Sequence, residues 1–87
     1  SPPYPNPFNE LTTLNFTIPA PGDVELTIYA VTGQKVKTIV PGTVDRGMHR
    51  IIWNGRDDEG RHLSSGLYIA RLAWNGRSTA ARMTLIK

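Results

Sequence analysis

Apolar and polar residues alternate along most of this chain. Leu14, Phe16 and Ile18 fall on every second position, with Asn15 and Thr17 between them. A period of two marks a strand with one face buried and one face wet. Pro19-Ala20-Pro21-Gly22 breaks the pattern, and Val24, Leu26, Ile28 and Ala30 resume it, with Glu25, Thr27 and Tyr29 facing the other way. Thr32-Gly33 supplies a turn into a third strand over Val36 to Val40, which Pro41-Gly42 is expected to end. A fourth strand runs from Met48 to Trp53, with Ile51 and Trp53 on one face. After a polar stretch from Arg56 to Ser65, the fifth strand, Leu67 to Trp74, sets Tyr68, Ala70 and Leu72 against Ile69 and Arg71. Asn75-Gly76 is a strong hairpin signal, because both turn positions require positive φ. The last strand, Ser78 to Ile86, returns with Met83 and Leu85 as core positions.

No segment keeps the i, i+3, i+4, i+7 pattern of a helix over three turns, so helix is limited to at most one turn in the 56–65 loop. Six or seven short strands with regular turn signals predict an all-β sandwich of two antiparallel sheets, closed over Phe16, Leu26, Trp53 and Tyr68. Ahead of it, residues 1–9 are rich in proline, which donates no N–H and holds the preceding residue extended. They read as a linker or N-terminal arm before a domain at 10–87, with Tyr4 and Phe8 pinning the arm to the body. Asn6 and Asn9 are expected to bond their own backbone and shape it.

Composition narrows the chemistry. The chain has 87 residues and no cysteine, so no disulfide contributes and the fold rests on its core alone. No apolar run is long enough to span a bilayer, and no secretory leader is recognisable, so membrane insertion is not expected. The net charge of +3 comes from ten basic and seven acidic residues, with the arginines spread singly along the chain, unlike the concentrated basic face of a nucleic-acid binder. No nucleophile elbow, phosphate loop or dinucleotide fingerprint is present, and the chain is expected to be no enzyme and to carry no cofactor. Asp57-Asp58-Glu59 could suggest calcium, but the ligand spacing of a calcium loop is missing, and a solvated turn is the favoured reading. Trp53, Trp74, Tyr29 and Tyr68 could suggest a sugar-stacking platform. The alternation puts Trp53 and Tyr68 in the core, leaving Trp74 as the one tryptophan expected to be partly exposed.

The order of short motifs is also familiar. Tyr4-Pro5-Asn6-Pro7-Phe8-Asn9 opens the chain, followed by Val24-Glu25-Leu26-Thr27-Ile28-Tyr29, Thr32-Gly33-Gln34, and Gly47 and His49 ahead of Ile52-Trp53-Asn54-Gly55. Asp57 and Gly60, then Leu63-Ser64-Ser65-Gly66-Leu67-Tyr68 and a closing Met83-Thr84-Leu85-Ile86-Lys87 complete the set. In this order they resemble the C-terminal sorting domain of the type IX (Por) secretion system, which is similar to the immunoglobulin-like domain of the flagellar hook-capping protein.

The resemblance implies an immunoglobulin-like or fibronectin III-like antiparallel β-sandwich of about seven strands. It implies a non-catalytic domain that directs an exported bacterial protein, through the periplasm, across the outer membrane to the cell surface or medium. Its partners would be the outer-membrane secretion machinery and an upstream domain of the same polypeptide, with the domain itself monomeric and the parent protein free to be an enzyme. The motif positions that would carry sorting are Tyr4, Pro5, Asn6, Pro7, Phe8, Gly33, Trp53, Gly55, Gly66, Tyr68, Met83, Leu85 and Lys87. The alternative is a carbohydrate-binding or structural accessory module of a secreted hydrolase.

Overall fold

A computed structural model describes residues 3–87; Ser1 and Pro2 of the expected arm lie outside the described residues. Six strands follow in order: β1 (Thr12–Ile18), β2 (Gly22–Ala30), β3 (Lys35–Val44), β4 (Gly47–Trp53), β5 (Gly66–Trp74) and β6 (Arg77–Leu85). No helix occurs among the described residues, and the 56–65 loop turns without one. β1 and β4 form a two-stranded sheet, and the second sheet has the order β3-β2-β5-β6. Every named strand pair is antiparallel.

The alternation decides which faces meet. Pairing of Leu14 with Ile51 and of Thr12 with Trp53 puts these side chains on the inner face of the small sheet. On the large sheet, Val24, Leu26 and Ile28 sit opposite Trp74, Leu72 and Ala70, and Tyr68 sits opposite Met83. Burying a side chain of this size stabilises by roughly 1.5–3 kcal/mol, and Ile28, Met83, Trp53 and Leu85 are all fully enclosed. Phe16 packs only partly against this core and stacks on His49, with ring centroids 5.5 Å apart.

One expectation needs correction. β3 does not stop at Pro41-Gly42 but runs on to Val44. It is an outer strand of its sheet, where a proline costs no central ladder bond. The register slips between Val24↔Gly42 and Leu26↔Ile39, so an extra residue of β3 bulges at the proline. The six strands agree with the six or seven expected, and isolated bridges at Tyr4↔Thr13 and Phe8↔Leu85 add pairing from the arm. The Asn75-Gly76 hairpin forms as expected, with φ of 46° and 74° at the two turn residues.

Candidate functional site

Residues 4–8 stitch the two sheets together. Tyr4 N–H donates to Thr13 O at 3.0 Å and Thr13 N–H returns a bond to Tyr4 O at 2.8 Å, so the arm starts on the edge of β1. Thr12 Oγ1 donates to Pro5 O at 2.7 Å. The arm then crosses to β6. Asn6 Nδ2 donates to Arg82 O at 3.1 Å, and Asn6 Oδ1 accepts from Thr84 N–H at 2.8 Å. Phe8 N–H donates to Thr84 O at 2.9 Å, and Ile86 N–H donates to Phe8 O at 2.8 Å. Both X-Pro bonds of the arm, Tyr4-Pro5 and Asn6-Pro7, are cis.

Phe8 is the plug of this clamp. It is buried to 3 % exposure, and its ring lies 5.6 Å from that of Trp53, tilted by 58°. Trp53 meets Tyr68 edge-on at 5.5 Å. Tilted and edge-on contacts of this kind add to plain area burial. The polar ends of both larger rings are satisfied: Trp53 Nε1 donates to Arg56 O at 3.0 Å, and Tyr68 OH donates to Ser64 O at 2.8 Å. The tyrosine bond is of the corner type found in immunoglobulin sandwiches. Gly55 turns beneath them with φ of 73°. A Cβ there would lie 3.4 Å from Leu85 Cδ1 and 3.8 Å from Phe8 Cε2. These are ordinary contact distances, so it is the positive φ that glycine meets best here.

The structure thus brings Asn6, Phe8, Trp53, Gly55, Tyr68, Met83 and Leu85 into one cluster. Pro5 and Pro7 lie exposed on its outer side. Gly66 begins β5 opposite Leu85. Lys87 is exposed, with its N–H bonded to Ser65 Oγ at 2.8 Å and Nζ 3.3 Å from His62 Nδ1. Gly33 stands apart, in the β2–β3 turn, where its N–H donates to Ala30 O. Tyr4 departs from expectation: its backbone is pinned, but its side chain is 76 % exposed. Asn6 departs too, because its side chain bonds a strand 76 and 78 positions away rather than its own backbone. An asparagine between two prolines was the visible signal. Its amide has few nearby backbone donors to serve.

The acidic loop is held by its own arginine and backbone. Asp57 Oδ1 accepts from the N–H groups of Glu59 and Arg61, and Asp57 Oδ2 accepts from Arg61 Nε at 3.1 Å. These donors, with the Arg61 backbone N–H foremost, hold the Asp57 carboxyl below its ordinary value of 3.8 against the opposing effect of partial burial. Asp58 Oδ1 accepts from Thr38 N–H, and Asp58 N–H donates to Val36 O. The loop therefore covers the outer edge of β3. Trp74 and Tyr29 occupy opposite faces of the large sheet, since Trp74 pairs with inward Val24 while Tyr29 alternates outward. They form no common platform.

Away from the clamp, the sandwich is open between β1 and the first half of β6. A groove of ≈ 740 Å³ lies there, with Phe16, Ile18, Leu72 and Trp74 among its walls and Arg77 and Arg82 along β6.

Comparisons with known proteins fit this architecture. The family model of the FlgD Ig-like domain matches residues 9–78. Among solved structures, dimeric latent PorU from Porphyromonas gingivalis is similar with a TM-score of 0.79 and 25 % identity, over 97 % of this chain and 9 % of that one. FlgD from P. aeruginosa is similar with a TM-score of 0.66 and 22 % identity, over 87 % of this chain and 60 % of that one. The alkylpurine DNA glycosylase AlkC of Pseudomonas fluorescens, bound to DNA with an abasic-site analogue, gives 0.65 and 24 %, over 98 % and 28 %. The last two likenesses concern the fold. In each case this chain spans less than two thirds of the other. No curated protein matches the chain. The chain belongs to the FlgD Ig-like domain family.

Proposed function

We propose that this domain is a non-catalytic C-terminal sorting domain, which marks an exported bacterial protein for passage across the outer membrane to the surface or medium. The observation that carries the reading is the clamp. The first and last motifs of the sorting-domain resemblance, Tyr4–Phe8 and Met83–Lys87, are far apart in sequence but hydrogen-bonded to each other. A receptor that grips one surface patch would read both at once. The likeness to PorU over nearly the whole chain supports the same assignment, since its name shares the Por of that secretion system. Recognition uses the folded surface, with Tyr4 and Lys87 exposed at the clamp. The domain acts as a monomer, with the secretion machinery and the upstream part of its own polypeptide as partners.

Fusion to a periplasmic reporter in a host with the machinery tests this. The intact chain should carry the reporter outside the cell. Tyr4→Ala, which removes an exposed ring and leaves the core intact, should reduce export while the thermal midpoint stays put. A reporter retained in the periplasm with the intact domain overturns the reading. The family match to the FlgD domain favours a second reading, a module that assembles with copies of itself or other chains. A defined oligomer in sedimentation would favour that one.

A further inference from the structure

The edge of β6 is unequal along its length. Outward-facing groups are identified by what the arm bonds: Arg82 O, Thr84 N–H, Thr84 O and Ile86 N–H all point to it. Strand alternation then directs the N–H and C=O of Ser78 and Ala80 to the same side. No described residue bonds them. They line the rim of the groove beside β1, whose floor includes Leu72 and Trp74. A row of free strand groups beside apolar pockets is what a peptide needs to add itself to a sheet.

The charges define the occupant. Arg82 and, behind Ala80 on β5, Arg71 share the outer face of the sheet, opposite the face that carries Met83 and the groove, and neither forms an ion pair among the described residues. No carboxylate lines the groove. A second copy pairing edge to edge would bring its own Arg71 and Arg82 onto the same outer face, and like charges gathered on one face oppose pairing. We propose that the 77–81 edge of β6 binds an extended peptide segment of a partner protein, with apolar side chains alternating with acidic ones. The peptide becomes a further strand of the large sheet. Its apolar residues enter the groove beside Trp74, and its carboxylates, on the opposite face, meet Arg82 and Arg71.

This goes beyond the sorting reading and is tested without export, so either can fail alone. The probe is a fluorescently labelled peptide of about ten residues, a usual strand length, alternating valine and glutamate, with a valine–lysine peptide as control. The intact chain should bind the glutamate peptide and shift the amide resonances of Ser78 and Ala80. Ala80→Pro removes an outward N–H without taking a bond from β5, and should weaken binding by about tenfold or more. The double variant Arg71→Glu, Arg82→Glu should exchange the preference, binding the lysine peptide instead. Failure of the glutamate peptide to bind overturns the proposal. So do binding unaltered in a folded Ala80→Pro, equal binding of both peptides, and a dimer whose formation protects the 77–81 amides.

Discussion

The two halves of β6 belong to one strand but live in different surroundings. From Arg82 onward the strand is bonded on both sides, to β5 and to the arm, and its inward residues Met83 and Leu85 are fully buried. From Arg77 to Ala80 it is bonded to β5 alone and exposed. The other outer strand of the sheet, β3, is covered differently: the 57–61 loop bonds Val36 and Thr38, and a bulge with Pro41 follows. Sheet edges are templates for unwanted pairing and are usually blunted. Here three stretches of edge have three treatments, a clamp, a loop with a bulge, and arginines alone. Only the last leaves its backbone available.

The largest effect is expected where the clamp enters the core. Phe8→Ala empties the space against Trp53 and should cost about 3–5 kcal/mol, much of the stability of a domain this size. Urea denaturation measures it, and a loss under 1 kcal/mol would mean the arm is an accessory rather than part of the core. Next comes the polar half of the clamp. Asn6→Ala removes the side-chain partners of Thr84 N–H and Arg82 O, which are exposed and can turn to water, and should cost about 0.5–1.5 kcal/mol. Hydrogen exchange should quicken at Thr84 and Ile86 while the amide of Ile28, in the sheet centre, changes only as global stability does.

The loop that covers β3 gives a smaller, pH-dependent effect. The Asp57 carboxyl is lowered in the folded chain, so its contribution is complete above the ordinary value of 3.8 and is lost as pH falls through the lowered value. Folding then becomes less favourable in acid, because the unfolded chain takes up the proton first. Asp57→Asn should flatten that part of the stability curve and leave the neutral-pH fold in place. Thermal melts from neutral to acid read the slope. An unchanged slope would show that the carboxylate has no such role.

Most of the sandwich was legible because each strand carries its own alternation. Leu14 and Ile18, or Val24, Leu26 and Ile28, reveal their buried face locally, and Asn75-Gly76 fixes its turn locally. Trp53 and Tyr68 could be assigned to the core from their neighbours on the same face. The clamp was less legible because its energy is non-local. Nothing near Asn6 says that its amide meets Arg82 and Thr84. Phe8 read as an anchor, but its full burial depends on Trp53 and Leu85, both far along the chain. Pro41 misled for the reverse reason: a proline ends a strand in the middle of a sheet but not at a bulged edge.

The smallest effect offers the sharpest comparison, because one substitution can be made on both halves of β6. Thr84 and Ala80 have the same parity, so both N–H groups point away from β5. The Thr84 N–H is bonded to Asn6, and Thr84→Pro should cost about 0.5–1.5 kcal/mol through the lost bond and the loosened arm. The Ala80 N–H meets no described partner, and Ala80→Pro should stay within about 0.5 kcal/mol of the parent. Equal losses at the two positions would place the Ala80 N–H in the β5 ladder, and the first half of β6 would not be a free edge. A loss at Thr84 alone means that the same strand is locked at one end and open at the other, with the arm as the only cause of the difference.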